Sequence, residues 1–247
     1  MIPILKSAGL LWLGELARSR PLLAFDFDGT LAPIVAHPED AAMRPDTRGL
    51  LLDLAHRYPC VVISGRGRGD VKQRLSGIPL VAVVGNHGME PTPGMDLGHP
   101  RTSQWKTRIS AEVGEIPGLC IEDKGLTLAV HYRQVADKAA IRHAILRVAG
   151  ELPGTRIVEG KRVVNILPEN AADKASALLT ICQRFRRSSA IYVGDDENDE
   201  VVFALASVGV RLLGIRVGKS ARSQAQAYLR GQRDMEHLLA TLIALRG

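Results

Sequence analysis

The sequence predicts an α/β protein with a parallel-sheet core built from discontinuous chain and an inserted α+β segment. Three observations carry this reading. Short, wholly apolar runs alternate with helix-like spacing over residues 21–84, the signature of strands buried on both faces and joined by helices. A different style, with strictly alternating strands, occupies residues 98–168. The first style then returns and continues to the C terminus. The expected organisation is a core of residues 1–97 and 169–247, with a cap of residues 98–168 inserted between them.

The elements follow in order. Residues 1–17 are apolar in places, but Lys6 and Glu15 interrupt them and no small-residue cleavage site follows. An amphipathic helix is expected there rather than a signal peptide. Residues 21–26 (PLLAFD) read as the first strand. Leu50, Leu51 and Leu54 give residues 47–57 a helical apolar side. Residues 60–64 (CVVIS) form a second strand, 70–76 a short helix and 80–84 a third strand. Three Pro and two Gly mark residues 91–100 as a linker. A helix follows at 102–115. In residues 125–133 Leu126, Leu128, Val130 and Tyr132 share one face, and Thr127, Ala129, His131 and Arg133 the other, so a half-buried strand with one wet face is expected. His131 reads as a packed strand histidine. Residues 137–149 read as a helix and 156–167 as a hairpin turning near 159–160. The core resumes with a helix at 173–185, strands at 190–193 and 214–217, a helix at 200–206 and a terminal helix at 234–246.

Composition bounds the function. Of 247 residues, 46% are hydrophobic and 23% charged, which argues against disorder. The net charge of +6 comes from 32 basic residues, yet no block of five or more Lys or Arg occurs, so a nucleic-acid tail is not expected. Three cysteines, Cys60, Cys120 and Cys182, lie far apart without metal-ligand spacing. That pattern fits a reducing compartment. No run of 18 apolar residues exists, so no membrane span is expected. A cytoplasmic monomer acting on a small molecule is the working expectation.

Two acidic groups carry the chemistry. Asp26 and Asp28, in DFDGT, leave the first strand at positions i and i+2. They lie where open parallel sheets bind ligands, outside the carboxyl ends of the strands. A lone Asp there commonly caps a turn. A second group, Asp195, Asp196 and Asp199 in GDDENDE, leaves the fifth strand. Carboxylates gathered at one sheet edge need a cation to offset their repulsion, and an all-oxygen set suits Mg²⁺. Ser64-Gly65-Arg66 ends the second strand, where a hydroxyl and backbone N–H groups can cradle a phosphate. Lys174 opens a helix and can neutralise a phosphate as a point charge. The tripeptide Arg68-Gly69-Asp70 reads as chance. Nucleotide-binding glycine loops are not matched.

DFDGT, SGR, Lys174 and GDDENDE together resemble the four ordered motifs of the haloacid-dehalogenase-like (HAD) phosphatases, over nearly the whole chain. Asn86-His87-Gly88 with Glu90, Glu122-Asp123-Lys124-Gly125, residues 128–133 (LAVHYR) and Gly160-Lys161-Arg162-Val163-Val164 further resemble the trehalose-6-phosphate phosphatase family. The resemblance implies a Rossmann-like HAD core with a cap. It implies Asp26 as nucleophile and Asp28 as the acid and base. It places Mg²⁺ on Asp26, the Asp28 backbone carbonyl and Asp195, with Asp196 and Asp199 ordering waters or Lys174. Ser64, Gly65 and Lys174 would bind the phosphoryl oxygens. Arg66, His87, Glu122, Lys124, Arg133 and Asn165 would face the sugar. The family commonly has Glu where this chain has Asn165, and Thr where it has Asn198. The implied reaction is hydrolysis of trehalose 6-phosphate; sucrose 6-phosphate or a glucosyl- or mannosyl-3-phosphoglycerate is the alternative substrate, and phosphoryl migration by a mutase the alternative outcome.

Overall fold

A computed structural model describes residues 1–90, 102–205 and 210–246. The linker expected at 91–100 lies outside the described residues, as does the end of the helix expected at 200–206. The chain divides into two compact units, Met1–Glu90 with Asp173–Gly247, and Pro91–Ala172. In chain order the elements are β1 (Ile2–Pro3), α1 (Ser7–Arg18), β2 (Leu22–Phe25), α2 (Pro45–Arg57), β3 (Cys60–Ile63), α3 (Arg68–Arg74) and β4 (Ala82–Val84). The second unit holds α4 (Thr102–Val113), β5 (Cys120–Asp123), β6 (Leu128–His131), α5 (Lys138–Gly150), β7 (Thr155–Gly160) and β8 (Val163–Pro168). The first unit then resumes with α6 (Lys174–Arg184), β9 (Ser189–Gly194), α7 (Glu200–Phe203), β10 (Arg211–Val217), β11 (Ala227–Leu229) and α8 (Asp234–Ala244).

The first unit is a seven-stranded parallel sheet in the order β1-β11-β10-β9-β2-β3-β4. The central strands β2, β3 and β9 are buried on both faces, and their residues alternate between two cores. Leu23 and Phe25 of β2, Cys60 and Val62 of β3, and Ile191 and Val193 of β9 pack with α1, α2, α3 and α8. Leu22, Ala24, Val61, Ile63, Ala190 and Tyr192 pack with α6 and α7. This two-sided burial explains why these strands read as unbroken apolar runs. From β2 the chain proceeds outward through β3 to β4; later it returns to β9 and proceeds the other way through β10 to β11. The reversal falls between β2 and β9, and the crevice at such a switch point is where open α/β sheets bind ligands.

The second unit is an antiparallel sheet in the order β5-β6-β8-β7. Leu128, Val130, Tyr132, Val164 and Ile166 pack with Trp105 and Ile109 of α4 and with Ile141, Ile145 and Val148 of α5. The opposite face carries Glu122, Ala129 and Asn165 in one cross-strand row.

Several expectations are corrected. The N-terminal helix begins only at Ser7, because Ile2 and Pro3 add an edge strand to β11. Strands β5 and β11 are additions to the expected set. The hairpin turns at Lys161–Arg162, since Glu159 and Gly160 still pair with Val164 and Val163. The face expected to be wet along residues 125–133 is dry at Thr127 and Ala129, both 0% exposed. Ala129 is small and lies between the longer Glu122 and Asn165 in register, which shelter it.

Candidate active site

Asp26 follows β2 directly, and its backbone N–H donates to the Val193 carbonyl of β9 at 2.9 Å. Continuing the β2 alternation, Asp26 falls on the α6 side of the sheet with Tyr192, while Phe27 joins the opposite core. Gly29 then turns the chain in the left-handed region, φ +79°. A Cβ there would collide with the Asp195 carboxylate, so only glycine lets the β2 loop approach the β9 loop this closely.

Lys174 is the centre of the site. Its Nζ donates to Asp26 Oδ1 at 2.8 Å and to Asp199 Oδ1 at 2.7 Å, with the side chain 2% exposed. The local sequence explains its place: Asp173 and Ser176 form a capping box, so α6 starts at Lys174. A cation at a helix N-terminus opposes the helix dipole. Here the two carboxylates outweigh that cost. Burial alone would pull the Lys174 pKa down, but Asp199 and Asp26 together hold it above its ordinary value.

The carboxylates differ in state. Burial is the largest influence on Asp26 and raises its pKa well above the usual range; Lys174 offsets part of the rise, while Asp199 and Asp195 add to it. Burial also acts on Asp199, but the charge and hydrogen bond of Lys174 outweigh it. The Tyr192 hydroxyl and the Asp196 N–H add to that pull, and the pKa falls below the ordinary value. Both Asp199 oxygens are committed. Oδ1 accepts from Lys174 and from Tyr192 OH at 2.6 Å; Oδ2 accepts from the N–H groups of Asp195 and Asp196 at 2.9 and 3.0 Å. Asp26, Asp195 and Asp199 offer oxygens within 4.8 Å of one another. Asp199 therefore serves as the brace of this trio, and Asp26 and Asp195 are the carboxylates positioned to take a hard cation. An all-carboxylate donor set with no His or Cys fits Mg²⁺.

Ser64 ends β3 beside this group, 1% exposed, with its Oγ accepting from Arg66 N–H at 3.2 Å. The following loop braces the turn: Asn86 and His87 donate backbone N–H groups to the Arg66 and Ser64 carbonyls at 2.7 and 2.9 Å. Both are held in the left-handed region, at φ 47° and 59°. His87 is buried, its ring so close to Gly65 that a Cβ there would meet it at 2.6 Å. Glu90 accepts from the N–H of Arg68 at the start of α3 at 2.7 Å. Asp28 meets Arg66: Arg66 Nε and Nη2 donate to its two oxygens at 2.6 and 2.7 Å.

The remaining expected residues lie in the second unit. Glu122 Oε2 is 2.8 Å from His131 Nε2 and 3.9 Å from Lys124 Nζ. Arg133 donates to the Lys161 carbonyl at 3.0 Å. Asn165 is buried, and its amide donates to the Val158 carbonyl at 3.2 Å. Sequence reasoning missed three contributors. Tyr192 is a lone hydroxyl within an apolar strand. Arg216 is a charge within another; it donates to the Asp196 carbonyl at 3.1 Å and pairs with Glu200 at 2.6 Å, anchoring the acidic loop. His131, which reads from its strand as a packed residue, is the third, since it meets Glu122.

Residues 24–230 match the model of the trehalose-phosphatase family. The chain is 36% identical over 203 residues to a trehalose-phosphate phosphatase of Mycobacterium avium, covering 76% of this chain and 52% of that protein. It therefore spans about half the length of the curated relatives it matches. Among solved structures, the C-terminal domain of the Candida albicans trehalose-6-phosphate phosphatase superposes with a TM-score of 0.81 at 20% identity, covering 99% of this chain and 98% of that one. A phosphatase of the HAD superfamily from Bacteroides thetaiotaomicron superposes with a TM-score of 0.62 at 14% identity, covering 91% and 94%. The parallel sheet with its acidic switch point is thus an HAD fold, and the match over residues 24–230 shows that the chain belongs to the trehalose-phosphatase family.

Proposed function

We propose that the protein is a Mg²⁺-dependent phosphatase that hydrolyses trehalose 6-phosphate to trehalose and phosphate through an aspartyl-phosphate on Asp26. The observation that carries the reading is the buried Lys174 joined to both Asp26 and Asp199 at the sheet's switch point. A lysine so placed orients the nucleophile and meets the charge of an arriving phosphoryl group. Phosphoryl transfer asks for little more than positioning and charge neutralisation.

Asp26, Asp195 and the Asp28 backbone carbonyl would hold the ion, with Asp196 and Asp199 outside them. A bound ion would offset the charge of the phosphoryl oxygens and favour the ionised form of Asp26, whose pKa burial raises. Asp26 attacks phosphorus as the carboxylate and forms the acyl-phosphate bond. Asp28 gives its proton to the leaving sugar oxygen, then takes one from the water that hydrolyses the aspartyl-phosphate. Ser64 Oγ, the Gly65 backbone and Lys174 hold the phosphoryl oxygens. Residues 1–97 with 169–247 serve as the catalytic core and 98–168 as the cap. Glu122, Lys124, Arg133 and Asn165 would select the sugar, and Arg66 and His87 would contact it as well. The Glu122–His131–Lys124 group supports that reading, since a carboxylate flanked by donors suits sugar hydroxyls. Free thiols at Cys60, Cys120 and Cys182 suit a cytoplasmic enzyme.

Phosphate release from trehalose 6-phosphate, sucrose 6-phosphate, glucose 6-phosphate and glucosyl- and mannosyl-3-phosphoglycerate tests the reading, each with Mg²⁺ and with EDTA. The expected result is a preference for trehalose 6-phosphate of at least about tenfold in kcat/KM, abolished by EDTA. Preference for another ester would move the sugar assignment, and phosphate transferred within the sugar rather than released would make the enzyme a mutase.

Gly29→Ala tests the metal assignment separately. Its Cβ would collide with Asp195 Oδ2 and force that carboxylate aside. Calorimetry is expected to show Mg²⁺ affinity lowered at least about tenfold, the loss that follows when a coordinating group is disturbed. Unchanged affinity would remove Asp195 from the ligand set.

A further inference from the structure

We propose that Arg66 is a positioning residue for Asp28 and that Asp70 is the post that fixes Arg66. The inference rests on the reading of Asp28 as the proton-transfer group. It gives a role to Asp70, the acid of a tripeptide whose sequence suggested none.

The Arg66 guanidinium holds both oxygens of Asp28 in a bidentate fork at 2.6 and 2.7 Å. Its Nη1 donates to Asp70 Oδ2 at 2.9 Å, and its Nη2 also donates to the Pro38 carbonyl at 2.8 Å. The guanidinium lies over the Phe27 ring, 5.7 Å from the centroid. These contacts leave the head group little freedom to turn, and the side chain is 13% exposed. Asp70 sits one helical turn before Arg74, which donates to Asp70 Oδ1 at 2.8 Å. Arg74 also donates to the carbonyls of Glu39 and Ala41. The two guanidinia flanking Asp70 therefore bind three carbonyls of the turn at 38–41, downstream of Asp28. One chain of contacts, Asp28–Arg66–Asp70–Arg74, sets both the carboxylate and the loop that carries it.

The fork leaves Asp28 able to act. A carboxylate accepts about four hydrogen bonds, and the fork uses one site on each oxygen. The side chain is 33% exposed, so a site outside the fork can carry the proton that Asp28 gives to the leaving oxygen and, once that proton is gone, accept one from water. Proton transfer depends steeply on this alignment, and a displacement of about 1 Å costs on the order of a hundredfold. Lysine is no substitute, since a point charge does not hold two oxygens in a plane.

Asp70→Asn, Arg66→Lys and the double variant test the clamp at saturating Mg²⁺, on whichever ester of the panel the wild type turns over. Asp70→Asn is expected to lower kcat about tenfold, with KM within twofold and Mg²⁺ affinity by calorimetry unchanged. Arg66→Lys is expected to lower kcat about a hundredfold. The double variant should fall no further than Arg66→Lys, because Asp70 acts through Arg66. Additive losses, or a raised KM with kcat kept, would overturn the clamp and leave Arg66 with its sugar-facing role alone. A crystal structure of Asp70→Asn reads the same question without turnover: Asp28 and Arg66 are expected to rotate out of the fork, and their staying in place overturns the proposal even if no ester is hydrolysed, which alone would refute the phosphatase reading.

Discussion

Asp26→Asn is expected to abolish phosphate release and, in the same protein, to raise the thermal midpoint of the metal-free form. The first effect follows from the proposed role of Asp26 as nucleophile. An amide oxygen does not form the acyl-phosphate, and loss of a group acting in concert with others costs about a thousandfold or more. The second follows from burial. Without a metal ion, Asp26 is a desolvated carboxyl group whose pKa burial raises well above the ordinary value, despite Lys174. A group raised in the folded state contributes stability that is complete below its unfolded value near 3.9, and that is lost as pH rises through the folded value. Asp199 is lowered, so its contribution is lost only toward acid pH. Lys174 is raised, so its contribution persists across the neutral range. In EDTA the midpoint of the wild type should fall between pH 5 and pH 8, and that of Asp26→Asn should stay level and higher at pH 8. The side-chain amide oxygen that the variant carries still accepts from Lys174 Nζ, so the pair with Asp199 keeps its geometry. Mg²⁺ should stabilise the wild type more than the variant. A variant less stable than the wild type at pH 8 in EDTA would show that Asp26 supports the fold rather than straining it. Retained turnover in a clean preparation would remove Asp26 as nucleophile.

Much of this was legible because the inner strands are buried on both faces. PLLAFD, CVVIS and the run at 190–193 needed no alternation to be read, and their ends delivered Asp26, Ser64 and Asp195 to one sheet edge. What the sequence lacked was contact. Asp26 and Asp28 are two residues apart, yet one meets Lys174 and the other Arg66, because the strand ends at Phe25 and Gly29 reverses the chain. Tyr192 and Arg216 lie inside strands that read as apolar, and only the neighbouring loops reveal their use. Asp70 looks like part of a chance tripeptide because its partners lie outside the tripeptide, four residues away on either side. The short strands β1 and β11 owe their place to tertiary pairing, β11 with β10 and the edge strand β1 with β11, rather than to any local pattern. The hairpin turn is displaced because Glu159-Gly160 has turn chemistry, whereas the turn is taken by Lys161 and by Arg162 at φ 70°.

Lys174→Met is expected to inactivate the protein and to destabilise it by about 3–5 kcal/mol, the cost of removing one partner from a buried ion pair. Lys174 is 2% exposed and is the cation between Asp26 and Asp199. Met comes close to its length and keeps the packing, so the loss reports the charge. A second change should recover the part of that loss that belongs to Asp199, with Asp26 still lacking its partner. In Lys174→Met/Asp199→Asn the amide oxygen can accept from the Asp195 and Asp196 N–H groups, as Oδ2 does now, and the amide NH₂ can donate to the Tyr192 hydroxyl, whose proton turns away. The anion at position 199 is then gone together with its cation. Asp199→Asn alone should also destabilise, because its NH₂ would face the Lys174 ammonium. The two substitutions are thus expected to couple by about 2 kcal/mol or more in a denaturant cycle, with all three variants inactive. Additive losses would mean that Lys174 is held by packing, and that its charge is present for the phosphoryl group alone.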